Sequence, residues 1–268
     1  ITNGGVSLIT PHAFVGTPWT DYGQLSEPVN AQFGPTARGY CDCTSDDCLA
    51  YKGLVYAPVQ INRAGHTVSL NVLSTHLNAS GDAEVRRRQI RSLVAFVEQR
   101  LCTHSERRTW PLIFLGDLNV GHIGGNATND EYYAILTELN AISCMENPRD
   151  AYLDVYQSWN DEDADAGTST CSGSSIQTCT KPTHISRRLD YIMTFNPTIN
   201  PTINPAYPSS GQAWRIETIR TAATEALIDP SCSFEHENRV YNTAGHLSDH
   251  KLLTATLELR RGFGNNSR

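Results

Sequence analysis

The chain has 268 residues, of which 28 are acidic and 21 basic, so its formal net charge is −7. Hydrophobic residues make up 39% and charged residues 18%, a balance typical of globular proteins that excludes wholesale disorder. No run approaches the roughly 18 consecutive apolar residues of a membrane span, and the acidic total argues against a generally basic nucleic-acid-binding surface.

The first half of the chain predicts a strand, a hairpin and a helix. A strand-like stretch at residues 6–10 leads into a loop rich in proline and glycine. A β-hairpin follows, with strands at 54–61 and 68–73 and a turn at 62–66. The clearest helix spans 82–101, because its apolar residues recur on one face at helical spacing. Its arginines (Arg86, Arg87, Arg88 and Arg91) lie mostly on the other side, which predicts a solvated helix face rather than a phosphate-binding patch.

The second half predicts more strands than helices. Residues 111–115 form a short, continuous apolar run, typical of a strand buried on both faces. A short helix is predicted at 129–139 and strands at 189–195 and 251–259. Because strands outnumber helices, we expect a single α/β (α+β) domain over residues 1–268, a layered β-sandwich with helices outside.

Cysteine usage indicates an oxidising compartment. The chain has 8 cysteines and none stands in a Cys-x-x-Cys pair, so disulfides in a secreted or lumenal protein are favoured over a zinc site. Eight cysteines allow about 105 pairings, and the connectivity stays open. We expect Cys171 and Cys179 to be bridged, because closing so short a loop costs little entropy. Asparagine-linked glycosylation sequons at Asn78, Asn126 and Asn265 agree with secretion.

Polar, ionisable residues gather in four short segments at the ends of predicted strands. The segments are Ser74-Thr75-His76-Leu77-Asn78, Gly116-Asp117-Leu118-Asn119, Arg187-Arg188-Leu189-Asp190-Tyr191 and Leu247-Ser248-Asp249-His250. Each alone has a structural explanation: His76 as a hydrogen-bonded histidine, Asp117 and Asn119 as turn residues, Asp190 as a surface partner of an arginine. Together they predict one site, since loops at strand ends can bring them together.

The chemistry that these residue types suit is metal-assisted hydrolysis of a phosphate ester. Mg²⁺ prefers carboxylate oxygens, and a neutral imidazole braced by a carboxylate can take a proton from water. Further donors are needed for the charge that builds on the phosphoryl oxygens. The candidates for these tasks are Asp117, Asp249, His250, Asp190, Asn119 and His76.

In these motifs the chain resembles the metal-dependent endonuclease/exonuclease/phosphatase superfamily, which shares the deoxyribonuclease I-like fold. Gly116-Asp117-Leu118-Asn119 and Ser248-Asp249-His250 match it most specifically, and Thr75-His76-Leu77, Arg88-Gln89 and Arg188-Leu189-Asp190-Tyr191-Ile192 also match. The segment Lys52-Gly53-Leu54-Val55-Tyr56-Ala57 is similar to a strand of the secreted neutral sphingomyelinases. The resemblance implies a four-layered sandwich of two packed, mainly antiparallel sheets flanked by helices.

The resemblance also implies a role for each candidate. His76 resembles the histidine that contacts the phosphate and assists the leaving group. Asp117 and Asn119 resemble the pair that orients the attacking water and holds the phosphoryl oxygens near the metal. On this resemblance Asn78, two residues after His76, is expected to line the cleft and to carry no glycan.

On the metal side, the resemblance makes Asp249 and Asp117 ligands of Mg²⁺ or another divalent cation such as Mn²⁺ or Ca²⁺. His250 resembles the general base, and Asp190 the carboxylate that braces it. Family members carry an asparagine and a metal-binding glutamate in strands that precede the one at residues 6–10. We therefore expect the domain to lack its first strands in this sequence, with the further metal ligands in that N-terminal region.

The leading hypothesis is a secreted or extracytoplasmic sphingomyelinase-like phosphodiesterase that acts on a phospholipid head group at a membrane surface. A deoxyribonuclease I-like endonuclease and a phosphoinositide phosphatase remain alternatives, as does a non-catalytic relative that binds lipid or a protein partner. A nuclease would need a basic, aromatic-lined groove, and no long basic run occurs beyond residues 86–91. Membrane contact is expected in the predicted loop 196–246, which holds Ile199, Ile203, Tyr207 and Trp214; an ordinary surface loop is the equal alternative.

Overall fold

A computed structural model describes residues 11–15, 19–21, 52–63, 65–79, 83–120, 128–156, 189–198, 214–224, 233–236, 239–242 and 252–261. The strands are β1 (Ala13–Phe14), β2 (Trp19–Asp21), β3 (Gly53–Arg63), β4 (His66–His76), β5 (Leu112–Asp117), β6 (Arg149–Asp150), β7 (Asp190–Phe195), β8 (Trp214–Thr224), β9 (Ser233–His236), β10 (Arg239–Asn242) and β11 (Leu252–Arg261). The helices are α1 (Ala83–Val97), α2 (Thr128–Leu139) and α3 (Ala151–Tyr156), with a π-helical turn at Glu98–Cys102 and a 3-10 turn at Arg107–Thr109. No helix within these ranges is long and apolar enough to cross a bilayer.

One large sheet has the strand order β1-β3-β4-β5-β7-β6, and β2 also pairs with β3. The predicted hairpin is confirmed as β3 and β4, whose register runs from Gly53 opposite His76 to Arg63 opposite His66. Its turn contains Gly65 at φ +77°, a conformation that glycine adopts at little steric cost. Every pair in this sheet is antiparallel except β4 with β5, which α1 connects as a crossover.

The predicted strand at 111–115 is confirmed as β5, in the interior of this sheet. Leu112 and Phe114 are buried in the main hydrophobic cluster beneath α1 and α2. Ile113 and Leu115 face the opposite side, where each packs, partly buried, against a smaller cluster. The continuous apolar run therefore reflects a strand that meets apolar layers on both faces.

A second sheet packs on the face of the large sheet opposite α1 and α2. It pairs β8 with β11 in antiparallel fashion. Between the sheets, Val68, Leu70 and Ile216 form a buried cluster, with Trp214 and Leu257 packed against it. The predicted sandwich of two mainly antiparallel sheets with helices outside is thereby confirmed.

The prediction of a loop over the whole of 196–246 is wrong, because β8 lies within it. From Trp214 to Glu217, β8 alternates apolar with charged residues, the period of a half-buried strand. Trp214 packs against the cluster between the sheets and so is unsuited to anchoring a membrane. Ile199, Ile203 and Tyr207, and the strand predicted at 6–10, lie outside the described residues.

Two of the eight cysteines form a disulfide within the described residues. Cys102, at the end of the π-helical turn, pairs with Cys144, after α2, with their Cα atoms 5.4 Å apart. Asn78 is fully buried, which contradicts its expected place at a cleft and itself makes a glycan there incompatible with the fold. Cys171, Cys179 and the sequons at Asn126 and Asn265 lie outside the described residues.

Arg86, Arg87 and Arg91 join α1 to α2, so the predicted solvated face is wrong for the buried Arg86, while Arg87 and Arg91 stay partly exposed. Arg86 is buried, and its guanidinium donates two hydrogen bonds to the Glu131 carboxylate, at 2.6 and 3.0 Å. Arg87 and Arg91 pair with Glu138, and the hydrogen bond from Arg91 lowers the pKa of that carboxyl group. Helical periodicity identified the apolar face of α1 but could not show that a second helix covers part of its polar face.

Removing the Glu131 carboxylate should destabilise the fold more than removing that of Glu138. Glu131→Gln leaves the Arg86 charge buried without its counter-ion, a loss of about 3 kcal/mol in the free energy of unfolding. Glu138→Gln is the matched control on the same helix, and its more exposed pairs predict a loss of about 1 kcal/mol or less. Urea unfolding of both variants measures the difference, and equal losses would contradict a buried Arg86–Glu131 pair.

Candidate active site

Three sequence-predicted site residues lie in one row across the large sheet. Strand pairing places His76 at the end of β4 opposite Asp117 at the end of β5. Asp117 is in turn opposite Asp190, the first residue of β7. The parallel pairing of β4 with β5 brings the carboxyl ends of both strands to the same edge, and antiparallel β7 begins there.

Gly116 is required where β4 and β5 approach each other. A Cβ atom at this position would lie 2.1 Å from the carbonyl oxygen of Thr75, so any side chain would collide with backbone. Thr75 is itself buried, and its hydroxyl donates to the Gly53 carbonyl oxygen at 2.9 Å. This packing leaves little room for the strand ends that carry His76 and Asp117 to shift.

Asp117 and Asn119 form a hydrogen-bonded turn at the end of β5. The Asn119 amide N–H donates to Asp117 Oδ1 at 2.8 Å, and Asn119 Nδ2 donates to the Leu77 carbonyl oxygen at 2.9 Å. Asn119 has φ +51°, a left-handed conformation that asparagine tolerates better than most residues. The turn interpretation is therefore confirmed, and the same turn positions the Asp117 carboxylate in the row.

His76 contacts both Asp117 and Lys52. Its Nε2 atom lies 3.3 Å from Asp117 Oδ2 and 2.7 Å from Lys52 Nζ. An ammonium group has only donors, so Nε2 accepts from a protonated Lys52 when it carries no proton, and it donates to Asp117 Oδ2 when it carries one. The His76 side chain remains 28% exposed, so a ligand can reach it.

Lys52 is the one residue of this group that the sequence did not place among the site candidates. It is 5% exposed and directly precedes β3, whose first residue Gly53 is opposite His76. A lysine is rarely buried unless it is paired. The Lys52-Gly53 motif was visible in the sequence, but the contact with His76 depends on the register of the hairpin.

Two predicted site residues, Asp249 and His250, lie outside the described residues. The pairing of Asp190 with His250 and the metal-ligand role of Asp249 therefore stay predictions. Within the ranges that the structure describes, no group of three or more His, Cys, Asp or Glu side chains could hold a metal ion. Asp117 still suits Mg²⁺, which often takes only one or two protein carboxylates and completes its shell with water and phosphate oxygens.

No protein-family model and no curated protein sequence matches the chain. Among solved structures it is similar to beta toxin from Staphylococcus aureus, with 18% identity over 81% of this chain and 61% of the other, at TM-score 0.41. TDP2 from D. rerio, complexed with a single-strand DNA product, has 16% identity over 80% of this chain and 64% of the other, at TM-score 0.46.

The similar structures also include an endonuclease/exonuclease/phosphatase from Bacteroides vulgatus, with 15% identity over 79% of this chain and 57% of the other, at TM-score 0.44. The chain spans 57–64% of the length of these three proteins. At such identities the likeness concerns the fold alone.

Gly116→Ala should disrupt the row, because its methyl group would force β4 and β5 apart. We expect a loss of about 3 kcal/mol in the free energy of unfolding, the upper range for an overpacked interior. Gly65→Ala is the control, since a methyl group there meets no atom within 4 Å and only its positive φ is unfavourable. That control should lose about 1 kcal/mol. Chemical denaturation compares them, and equal losses would mean that the strands are not in this close contact.

Proposed function

We propose that this chain is the catalytic part of a metal-dependent phosphodiester hydrolase of the sphingomyelinase type. The observation that carries the proposal is the row of His76, Asp117 and Asp190 at the meeting point of β4, β5 and β7, with Lys52 against His76. This row brings together a basic and an acidic group at the partly exposed ends of three neighbouring strands. It is the arrangement that a phosphate ester and a water nucleophile require.

Lys52 and His76 supply the positive and hydrogen-bonding side of the site. An ammonium 2.7 Å from the imidazole is placed to stabilise the negative charge on a phosphoryl oxygen that approaches His76. Because Lys52 is largely buried, its charge is weakly screened, and its interaction with a bound phosphate is stronger than at the surface. His76 contacts the phosphate and assists departure of the leaving oxygen, as the family resemblance implies.

Asp117 and Asn119 supply the polar oxygen side. The turn aims the Asp117 carboxylate into the row, and its backbone N–H donor compensates part of the negative charge on Oδ1. Nδ2 of Asn119 donates to the Leu77 carbonyl, so the Asn119 side chain stabilises the turn. The family resemblance assigns the same side chain a second role, the orientation of the attacking water. Asp190 sits beside Asp117 in register, where it would brace the general base His250.

A divalent cation, Mg²⁺ or another such as Mn²⁺ or Ca²⁺, would be held by Asp117 and Asp249. When bound, it would supply positive charge that offsets the charge on the phosphoryl oxygens. Every other task falls to this chain: His250 takes the proton from water, Asp190 holds the tautomer of His250, and Lys52 with His76 binds the phosphate.

Two observations favour a phospholipid head group over a nucleic acid as the substrate. Arg86, Arg87 and Arg91, the core of the one basic run, are engaged with Glu131, Glu138 and Glu84, so they do not form a basic groove. The Cys102–Cys144 disulfide supports an oxidising, extracytoplasmic location, where outer-leaflet lipids are accessible.

His76→Ala tests the function directly. The intact protein in Mg²⁺ should release phosphocholine from sphingomyelin vesicles faster than it nicks plasmid DNA or releases phosphate from a phosphoinositide. His76→Ala should lower kcat by about 100-fold or more, the scale of general acid–base catalysis. The control is His66→Ala, at the exposed start of β4, which should leave kcat unchanged.

Near-wild-type phosphocholine release by His76→Ala would contradict the site. If the protein nicked DNA faster than it released phosphocholine, and His76→Ala abolished the nicking, the proposed site would stand and the proposed substrate would be wrong.

The Asp190–His250 pairing makes a separate prediction. Asp190→Asn should leave folding and substrate binding nearly intact and lower kcat by about 100-fold, because the wrong tautomer of His250 would be favoured. His250→Ala should be as damaging, and the double variant little worse than either, since groups acting as one unit are not additive. If Asp190 were only a surface partner of an arginine, Asp190→Asn would scarcely change kcat.

A further inference from the structure

Tyr191 follows Asp190 on β7 and reaches from that strand to the segment after β5. Its side chain is 1% exposed, and its hydroxyl donates to the Val120 carbonyl oxygen at 2.7 Å. Val120 directly follows Asn119, the residue at φ +51°. The hydroxyl thus contacts the backbone immediately beyond the strained position of the site.

The turn at the end of β5 needs such an anchor. Asparagine tolerates a left-handed conformation better than most residues, but the conformation still costs energy that surrounding contacts must offset. On its near side, the turn is held by Asn119 Nδ2 to the Leu77 carbonyl and by the Leu118 amide to the Leu189 carbonyl, both at 2.9 Å. The Tyr191 hydroxyl holds the far side of the same turn.

The ring of Tyr191 stacks on that of Tyr132, with centroids 5.6 Å apart and planes inclined by 22°. Tyr132 is equally buried, at 1% exposure, but its hydroxyl donates to Asp150 Oδ2 at 2.6 Å. The two tyrosines therefore share burial and stacking and differ in what the hydroxyl holds. The Tyr191 hydroxyl holds the turn after β5, and the Tyr132 hydroxyl holds Asp150, the residue before α3.

We propose that Tyr191 is a positioning residue for the proposed hydrolase, an inference that rests on the proposed function. Its hydroxyl holds the Val120 carbonyl, and this contact fixes the backbone that follows Asn119. The fixed backbone holds the turn, and the turn holds the Asp117 carboxylate beside His76. Without the hydroxyl, the Asn119 N–H leaves Asp117 Oδ1 more often. The carboxylate then spends less time in the orientation that the reaction requires.

Tyr191→Phe and Tyr132→Phe form a matched pair for the test in the intact protein. Each removes one buried hydroxyl and keeps the stacked rings, so each should lower Tm by about 2–4 °C. Only Tyr191→Phe should lower kcat for phosphocholine release, by about 10-fold to 100-fold, with KM little changed. A purely structural role would affect the two variants alike.

A second readout does not depend on activity. Hydrogen exchange of the Asn119 amide, followed by NMR, should be about tenfold faster in Tyr191→Phe than in the parent and unchanged in Tyr132→Phe. Equal kcat in the two variants, or unchanged exchange at Asn119 in Tyr191→Phe, would overturn the inference. If the parent hydrolysed no phosphodiester, the proposed function would fail, and the exchange measurement would still decide whether Tyr191 holds the turn.

Discussion

The close approach of the two parallel strands β4 and β5 is the constraint on which the site depends. At Gly116 the backbone of β5 comes so near the Thr75 carbonyl that no side chain fits between them. One residue later in each strand, His76 and Asp117 are opposite each other, and the next strand adds Asp190. A histidine and two aspartates far apart in sequence thus become neighbours through sheet register alone.

The helices contribute by holding the loop that leaves β4. The Asn78 amide N–H donates to Gln89 Oε1 at 2.9 Å, and Arg86 Nη1 donates to the Asn78 carbonyl at 3.3 Å. Arg86 also binds Glu131 on α2, so one buried guanidinium ties both helices to this loop. The loop carries the Leu77 carbonyl that accepts from Asn119, which links the helix layer to the turn that holds Asp117. The arginine run is therefore part of the framework behind the site.

Much of this arrangement could be predicted from the sequence. Alternating and continuous apolar patterns predicted β3, β4, β5 and β7, and polar residues at their ends predicted His76, Asp117 and Asp190 as a group. Lys52 was not predicted as a member, because its contact with His76 depends on hairpin register. The buried state of Arg86 was missed because a helix pattern does not reveal a neighbouring helix. Strand β8 was missed because prolines and polar residues before it suggested one continuous loop.

The central claim is that the row at the ends of β4, β5 and β7 binds a phosphate ester. Titration of the ¹⁵N-histidine-labelled intact protein with phosphocholine in the presence of Mg²⁺ tests it most directly, by NMR of the imidazole nitrogens. The account predicts a saturable shift of the His76 ring signal, with the signal of His66 unchanged as the internal control. An unchanged His76 ring signal, or an equal shift of the His66 signal, would contradict it.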